Sequence, residues 1–222
     1  MKRRLRVLIS AGPTRERIDP VRFISNYSTG YMGGQLAAEA LARGHRVTVV
    51  RGPTTEAFPR SARVIPVEDA RSMERAMRGA AARADAIIMA AAVADFRSAK
   101  RSGRKLARQG GLTLRLEATP DIIGRLPRRP GQVVAGFALE TSDVLGRARR
   151  KLRHKRLDAI IAQRATRLGG PFGRRSVQAW LLTRRGTTPL GVCSKQRIAR
   201  ALLDKVEGLW YGQLTPQHPS TS

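Results

Sequence analysis

Short apolar runs alternate along the chain with longer stretches in which apolar residues recur at helical spacing. The runs predict buried strands, and the periodic stretches predict amphipathic helices. Strands are predicted at 5–10, 46–50, 64–67, 86–89, 133–139 and 158–162, and helices at 32–42, 68–83, 121–126, 142–156 and 194–210. This alternation is typical of a parallel sheet covered by helices on both faces, so the predicted fold class is α/β with a Rossmann-like parallel sheet.

Two segments depart from the alternation. Residues 97–111 are basic and contain glycine without hydrophobic periodicity, so they predict a mobile basic flap, followed by a half-exposed strand at 112–116. Residues 177–183 and 187–192 predict a small antiparallel extension of the sheet. The helix after it has Ser194 as a plausible N-cap, and a polar tail covers about 213–222. Because no repeat or composition shift divides the chain, we expect a single domain over 1–222.

The charge balance narrows the class of partner. Forty-three Lys and Arg residues oppose 16 Asp and Glu, which gives a net charge of +27 and favours nucleic acid, anionic lipid, nucleotides or phosphorylated small molecules. Ten aromatic residues, with arginines spread over the whole chain, disfavour a specific nucleic-acid-binding protein. Cys193 alone cannot form an internal disulfide, and three scattered histidines predict no zinc site. No apolar window approaches a membrane span or a signal peptide, so we expect a cytoplasmic protein without a membrane partner.

The first strand, loop and helix favour a nucleotide-binding fold, because phosphates bind at helix N-termini beside strand ends. Gly30, Gly33 and Gly34 lie where a phosphate turn would be, but the loop before them is too long for G-x-G-x-x-G. The second strand ends in Arg51 rather than in an acid that binds a ribose, and no Tyr-x-x-x-Lys pair is present. Both features disfavour a nicotinamide-dependent reductase.

The long loop at 14–30 packs polar and charged groups where a short connection would suffice. Loops of this length at strand ends usually carry function. The alternative is a solvated lid, in which Asp19 pairs with Arg15 or Arg22 and Asn26 caps a turn.

Several motifs then occur in order: ISAGPTRE at 9–16, IDPVRFISN at 18–26, STG at 28–30, MG at 32–33, AAAVADF at 90–96, TPDI at 119–122, GFALET at 136–141, and K-x-x-x-K-x-x-D-x-I-x-A at 151–162. Together they closely resemble phosphopantothenoylcysteine synthetase, the phosphopantothenate-cysteine ligase of coenzyme A biosynthesis. The resemblance covers about residues 6–192.

The resemblance implies a two-step reaction. The carboxylate of 4'-phosphopantothenate attacks the α-phosphate of a nucleoside triphosphate, usually CTP in bacteria, and pyrophosphate leaves. The amine of L-cysteine then attacks the acyl-cytidylate, and CMP leaves. Because the carboxylate and the triphosphate are both negative, cations and backbone N–H groups are expected to offset their repulsion. Mg²⁺ is expected to bridge phosphate oxygens rather than to be held by protein ligands. Whether CTP or ATP is used stays open, and a homodimer is implied.

Roles for individual residues follow from the same resemblance. Asn26 contacts the acyl-nucleotide and is needed for its conversion, and its amide suits a developing oxyanion. Arg22 handles the intermediate or cysteine, and Lys105, in a flap that closes over the site, contacts the triphosphate. Nucleotide contacts are implied for Gly12, Met89, Ala90, Ala91, Asp95, Lys105, Pro120, Asp121, Ile122, Ile123, Phe137, Lys151 and Lys155, and substrate or intermediate contacts for Arg22, Asn26, Ala91 and Ala92.

Simpler interpretations exist for several of these residues. Phe137 ends a buried strand and would more often be core, Lys151 and Lys155 would more often be solvated, and Asp95 could cap a helix. Cys193 is most simply a small buried hydrophobe.

The sequence also departs from the family pattern at four positions. A lysine usually stands at Tyr31, further flap lysines at Ala107 and Arg108, and an asparagine at Gln163. The changes at Tyr31 and Gln163 can weaken nucleotide or substrate affinity without removing a catalytic group, and those at Ala107 and Arg108 leave the other contacts of the flap open. The ligase motifs begin by residue 6, which predicts that the flavin-dependent decarboxylase found fused to some ligases is a separate chain and that no flavin binds here.

Overall fold

The computed structural model describes residues 3–108, 110–165 and 172–214. Its central sheet has eight strands. The parallel strands are β1 (Arg6–Ala11), β4 (Arg46–Arg51), β5 (Arg63–Pro66), β6 (Ala86–Met89), β9 (Val133–Glu140) and β10 (Ala159–Arg164), and the antiparallel pair is β11 (Val177–Thr183) and β12 (Thr187–Cys193). The order across the sheet is β12-β11-β10-β9-β6-β1-β4-β5. Counted by themselves, the six parallel strands have the Rossmann order 3-2-1-4-5-6.

Helices cover both faces of this sheet, because successive strand side chains point to opposite faces. Val7 and Ile9 of β1 belong to a core shared with two helices, while Leu8 belongs to a second core on the other face. The first core includes α1 (Tyr31–Ala42) and α5 (Lys195–Leu214), and the second includes α2 (Ala70–Ala81), α3 (Ile122–Arg125) and α4 (Val144–His154). The predicted α/β fold class, with its antiparallel extension, is confirmed.

Local hydrogen bonds set the helix starts. Helix α2 begins two residues later than predicted because Asp69 and Ser72 form a capping box, in which the Ser72 N–H donates to the Asp69 carboxylate at 2.8 Å. The predicted cap of α5 is confirmed, since the Ser194 Oγ accepts from the Arg197 N–H at 3.3 Å. Helix α5 continues to Leu214, past the predicted start of the polar tail, whose residues 215–222 lie outside the described part.

The predictions around the basic flap need correction. The strand predicted at 112–116 is wrong, because residues 112–115 are outside any strand and pairing begins at β8 (Leu116–Ala118). Its partner is β7 (Phe96–Ser98), so the first two flap residues belong to a strand. The alternating pattern at 112–116 does not correspond to a strand with one buried face, because Leu112 and Leu116 are both exposed. The flap is therefore an excursion between two paired strands.

Candidate active site

The site forms where β1 and β6 end side by side at the carboxyl edge of the sheet, the point at which the strand order reverses. Ligands bind at this position in open α/β sheets. The loops after the two strands stay paired: the Ala92 N–H donates to the Gly12 carbonyl at 3.0 Å, and the Ala94 N–H donates to Thr14 Oγ1 at 3.0 Å. Gly12 has a φ of 77° and is buried beneath this edge. The two loops therefore form one fixed floor.

Helix α1 starts directly above this floor. Its N-cap is Gly30, with a φ of 83°, and its first turn lies against the end of β1. A Cβ on Gly33 would stand 2.3 Å from the Cβ of Ala11, so only glycine permits this approach. The Tyr31 N–H donates to Thr29 Oγ1 at 3.3 Å, and the next N–H groups of the first turn, which have no intrahelical acceptor, lie beside the strand ends, as an anion-binding helix start requires.

A cavity of about 760 Å³ opens over this edge. Its size is typical of a small-molecule site. The described residues that line it are Asn26, Tyr27, Ser28, Thr29, Tyr31, Met32, Met89, Ala90, Ala91, Ala92, Val93, Asp95, Phe96, Ala118, Thr119, Pro120, Asp121, Ile122, Ile123, Gly136, Phe137, Leu139, Lys151, Lys155, Leu157, Gln163, Phe172, Gly173 and Lys195.

Asn26 enters the cavity from a small hairpin inside the 14–30 loop, which pairs β2 (Arg15–Arg17) with β3 (Phe23–Ser25). The Asn26 Nδ2 donates to the Ala92 carbonyl at 3.0 Å, and the neighbouring Ser25 hydroxyl donates to the Thr14 carbonyl at 2.8 Å. These bonds tie the hairpin to the floor of the cavity. The amide group is thus held beside the Ala91–Ala92 backbone instead of capping a turn.

Lys151 in the last turn of α4 and Lys155, the C-cap of that helix, reach the cavity from the other side. The Lys151 ammonium donates to the Phe137 carbonyl at 2.8 Å, and burial lowers the pKa of Lys151. Lys155 pairs with Asp121, the N-cap of α3. Although burial would raise the pKa of Asp121, the hydrogen bonds from Lys155 and from the Gly124 N–H hold it below the usual value. Both lysines have partners at the cavity wall, although Lys151 is also exposed to solvent.

The basic flap is fastened to the hairpin through Asp19. This carboxylate is buried and accepts from the Arg22 guanidinium at 2.9 Å, from two hairpin N–H groups and from the Leu106 N–H at 3.2 Å. The Arg22 guanidinium also donates to the Leu106 carbonyl at 2.8 Å. The hydrogen bond from Arg22 therefore holds the pKa of Asp19 well below its usual range, and the pair latches the middle of the flap.

We expect Asp19→Asn to release this latch. The substitution removes a charged acceptor of several hydrogen bonds, each worth about 1.5–3 kcal/mol when charge-assisted, so the opened flap should become about tenfold more populated. Trypsin cleavage after Arg104, Lys105 or Arg108 should accelerate accordingly, since proteolysis follows the open population when opening is fast. The control is Asp204→Asn, which removes a carboxylate of α5 that pairs with Arg43. Equal cleavage rates in the wild type, Asp19→Asn and Asp204→Asn would contradict the latch.

The structure brings most of the predicted site residues together. Asn26, Met89–Ala92, Asp95, Pro120–Ile123, Phe137, Lys151 and Lys155 all line the cavity, whereas Gly12, Arg22 and Lys105 do not. Gly12 is a buried part of the floor, Arg22 is engaged by Asp19 and Leu106, and Lys105 is exposed on the flap. Phe137 is half-buried within β9 and borders the cavity, so it is not simply core.

Lys195 is a cavity residue that the sequence motifs do not indicate. It is the first residue of α5 and is 3% exposed. A compositional signal was available, because the chain has only seven lysines among 43 basic residues. In the described part of the chain, every basic residue that lines the cavity is one of these lysines.

Comparison with known proteins decides the family. The family described as "DNA/pantothenate metabolism flavoprotein C-terminal domain" matches residues 2–209. The chain belongs to this family. Its resemblance to the phosphopantothenoylcysteine synthetases is thereby confirmed at the level of family.

Two curated relatives are longer than this chain. The chain is 44% identical over 170 residues to the coenzyme A biosynthesis bifunctional protein CoaBC of Bacillus subtilis, a match that covers 75% of this chain and 42% of that protein. It is 38% identical over 210 residues to the CoaBC protein of Vibrio parahaemolyticus, covering 91% of this chain and 52% of that protein. The chain thus spans about half the length of these curated relatives.

Solved structures agree with this fold. The crystal structure of the C-terminal domain of a CoaBC protein superimposes with a TM-score of 0.78 at 32% identity, covering 94% of this chain and 96% of that one. A Cab2 variant in complex with phosphopantothenate-cysteine superimposes with a TM-score of 0.73 at 16% identity, covering 95% and 89%. The second likeness concerns the fold alone.

Proposed function

We propose that this chain is a phosphopantothenate-cysteine ligase, which forms 4'-phosphopantothenoyl-L-cysteine through an acyl-cytidylate. The observation that carries the proposal is the cavity at the strand-order reversal, where Asn26, Lys151 and Lys155 converge in a member of this family. The coenzyme A biosynthesis proteins that it matches support a role in that pathway.

In the first step, a carboxylate oxygen of phosphopantothenate bonds to the α-phosphorus of CTP, and the bond to the β-phosphate oxygen breaks to release pyrophosphate. Because the carboxylate and the phosphates of CTP are both negative, cations held in place to offset their repulsion are the main catalytic requirement. Lys151 uses one of its three N–H donors on the Phe137 carbonyl and has the others available for phosphate oxygens. Lys155 lies one helical turn further along the same face of α4.

In the second step, the amine of L-cysteine bonds to the acyl carbon and gives up a proton to solvent, the bond from that carbon to the phosphate oxygen breaks, and CMP leaves with the oxygen. The Asn26 amide is the neutral donor suited to the carbonyl oxygen as its charge develops. Its present acceptor, the Ala92 carbonyl, keeps it aimed at the backbone segment that borders the cavity. Because the amide is neutral, it can donate this hydrogen bond without itself gaining or losing a proton.

Magnesium fits this site as a partner of the nucleotide. In the parts of the chain that the structure describes, no group of three or more His, Cys, Asp or Glu side chains could hold a metal ion. Asp95 lines the cavity and forms no ion pair with a described residue, so its carboxylate can approach a cation held mainly by triphosphate oxygens. Bound there, the ion would supply positive charge to the phosphates during transfer.

The proposed partners are CTP, 4'-phosphopantothenate and L-cysteine, with a homodimer as the assembly and a phosphopantothenoylcysteine decarboxylase as the enzyme that consumes the product. CTP is preferred to ATP on the habit of bacterial ligases. Within the described residues, no helix has both the length and the apolarity needed to cross a membrane.

The purified chain, supplied with phosphopantothenate, L-cysteine, Mg²⁺ and either CTP or ATP, tests this proposal. We expect release of pyrophosphate and nucleoside monophosphate in equal amounts, continuing only when cysteine is present, with a higher kcat/KM for CTP. Absence of cysteine-dependent turnover with both nucleotides would contradict the ligase assignment. A higher kcat/KM for ATP would correct the nucleotide alone.

A further inference from the structure

Arginines gather at the amino edge of the sheet, where β6, β9 and β10 begin and where β11 turns into β12. These strands are neighbours, since Ala86 is opposite Val133 and Ala159 is opposite Thr183 in the register of the sheet. The loops and helix ends at this edge are therefore adjacent in space, although they are far apart in sequence. Their exposed arginines, which together are called the basic edge, are Arg83, Arg129, Arg153, Arg156, Arg184 and Arg185.

Hydrogen bonds hold these loops together. The Gln132 amide donates to the carbonyls of Ala81 and Ala84 at 2.7 and 2.8 Å, which joins the loop before β9 to the loop before β6. The half-buried Arg128 guanidinium donates to the Lys155 carbonyl at 2.6 Å, which joins the loop before β9 to the end of α4. The arginines of the basic edge therefore extend from a fixed surface.

The charge of the basic edge is not neutralised within the described chain. Arg6, on the other half of the same sheet edge, pairs with Asp85 at 2.7 Å, whereas no described carboxylate pairs with an arginine of the basic edge. Asp158, which precedes β10, accepts from the Val134 N–H at 2.8 Å instead. The acids in these loops are thus engaged elsewhere, and the six guanidinium groups remain available to a ligand.

Arg128 lies among these positive charges. Burial is the main cause that lowers the pKa of Arg128; Asp158 opposes it, and the charges of Arg156 and Arg184 lower the pKa further. Like charges held close together raise the energy of the free protein, and an anion bound beside them relieves the repulsion. The basic edge is therefore arranged in advance for a polyanion.

Arg156 occupies a backbone position that favours glycine. Its φ is 50°, in the left-handed region, and it follows Lys155, the C-cap of α4. The Leu157 N–H donates to the Leu152 carbonyl at 2.8 Å, as in a Schellman motif, in which the position of Arg156 is usually glycine. Arginine at this position is less stable than glycine, but it places a guanidinium group in the middle of the basic edge.

The spacing of the charges matches a nucleic-acid duplex. The five neighbouring strands, β6 and β9 to β12, span about 19 Å at about 4.8 Å per strand. A duplex of that length carries about 11 phosphates, one for about each 1.7 Å, and about half of them lie on the side that faces a protein. The six exposed guanidinium groups are thus comparable in number with the phosphates within reach. Guanidinium also binds phosphate through two parallel hydrogen bonds.

The composition of this surface disfavours other polyanionic partners. The segments 81–85, 126–132, 153–158 and 184–186 contain no Phe, Tyr or Trp, so the bases of a single strand would find no stacking partner. Among the described residues, the large apolar side chains that are exposed lie on the 14–30 loop, on the flap with its two strands, and at the carboxyl ends of β9 and β12. The basic edge therefore has no large apolar side chain to insert into a membrane.

We propose that the basic edge binds the sugar–phosphate backbone of a nucleic-acid duplex. The contacts are to phosphate, so binding does not depend on base sequence. None of the arginines of the basic edge lines the cavity, so this surface is separate from the candidate active site and the proposal does not rest on the ligase function.

Fluorescence anisotropy with a labelled DNA duplex of about 20 base pairs tests the proposal. With about six phosphate contacts, log K should fall against log salt concentration with a slope of about −5. We expect the combined substitutions Arg153→Gln, Arg184→Gln and Arg185→Gln to make the slope shallower by about three and to weaken binding at least about tenfold at about 0.1 M salt. Lysine at the same three positions keeps the charge and should preserve the slope.

The matched control carries Arg60→Gln, Arg71→Gln and Arg75→Gln. These arginines are also exposed and pair with no described carboxylate, but they lie before β5 and in the first half of α2, away from the basic edge. Both triple variants lose three positive charges, so the control should keep the wild-type slope and bind within about threefold of the wild type. Within the described chain none of the replaced side chains forms a hydrogen bond, so both variants should melt as the wild type does.

Arg156→Gly separates charge from stability and serves if the triple variant does not fold. Glycine relieves the left-handed conformation, so this variant should melt at a higher temperature than the wild type. It should nevertheless bind the duplex more weakly, with a slope shallower by about one. Wild-type binding by Arg156→Gly would contradict the place of Arg156 in the basic edge.

Equal losses of affinity in the basic-edge variant and its control would overturn the proposal, because the charge of the whole protein would then be responsible. Absence of duplex binding by the wild type would overturn it as well. Tighter binding of either single strand than of the duplex, or binding only to phosphatidylglycerol vesicles, would overturn the assignment to a duplex. A loss confined to the basic-edge variants would support it.

Discussion

Replacing Asn26 with alanine is expected to lower the rate of product formation about 10²- to 10³-fold while acyl-cytidylate accumulates. The loss corresponds to removal of one oxyanion donor, about 2.7–4 kcal/mol of transition-state stabilisation. The first step should persist, because it depends on the cations of α4 rather than on the Asn26 amide. Quenched reactions analysed by mass spectrometry should therefore show the intermediate in amounts comparable to the enzyme.

The neighbouring Ser25→Ala variant is the matched control for this experiment. It removes a hydrogen bond of the same hairpin, from the Ser25 hydroxyl to the Thr14 carbonyl, without removing a group that lines the cavity. We expect its turnover to stay within about threefold of the wild type, the scale of one ordinary hydrogen bond. Normal product formation by Asn26→Ala, with no accumulated acyl-cytidylate, would show that Asn26 has another role.

The largest loss of stability is expected for Gly52→Ala. Gly52 follows β4, donates its N–H to the Ala11 carbonyl at 2.9 Å, and lies so close to the loop after β1 that an added Cβ would stand 1.8 Å from the Pro13 carbonyl oxygen. Both contacts are backbone, so no side chain can move aside. We expect the free energy of unfolding, measured with urea, to fall by about 3 kcal/mol or more, at the upper end of overpacking substitutions.

Gly79→Ala provides the comparison for this prediction. Gly79 lies within α2, and no atom approaches within 4 Å of the position that its Cβ would take. Alanine in a helix interior should stabilise the protein by about 0.5–1 kcal/mol. An insoluble Gly52→Ala beside a soluble Gly79→Ala would agree with the prediction. A Gly52→Ala protein within about 1 kcal/mol of the wild type would contradict the close packing of the loop that supports Gly12 and the cavity floor.

The strands and helices of the sheet could be predicted because their burial follows from local patterns. The parallel strands inside the sheet are apolar runs that are mostly buried on both faces, whereas the edge strand β5 is only partly buried, and each long helix has apolar residues at helical spacing. The β2–β3 hairpin could not be predicted in this way. Glu16 in its first strand is fully buried because its carboxylate accepts from the Ala70 N–H at 2.7 Å, a partner 54 residues away.

The candidate site was accessible to sequence analysis only in part. The resemblance indicated Asn26, Lys151 and Lys155, whose motifs are local, and all three line the cavity. Lys195 was missed because its surroundings combine the first turn of α1 with the end of β10, and neither is near it in sequence. The scarcity of lysine in the chain was the available signal, since most of the other basic positions carry arginine.

The net charge of +27 has little part in this site. Within the described chain, three basic residues line the cavity, and all three are lysines. The whole chain has 43 Lys and Arg residues. The excess of arginine is mostly surface charge, which promotes weak nonspecific association with polyanions. The positions at which lysine occurs are therefore more informative about function than the amount of charge.

Transfer of an oxygen label tests the central claim most directly. Phosphopantothenate labelled with oxygen-18 in its carboxylate is converted by the chain with CTP, L-cysteine and Mg²⁺, and the products are weighed by mass spectrometry. Formation of an acyl-cytidylate that cysteine then attacks predicts one labelled oxygen in CMP and the other in the amide of the product. CMP without label, or label found in orthophosphate, would contradict the proposed ligase chemistry.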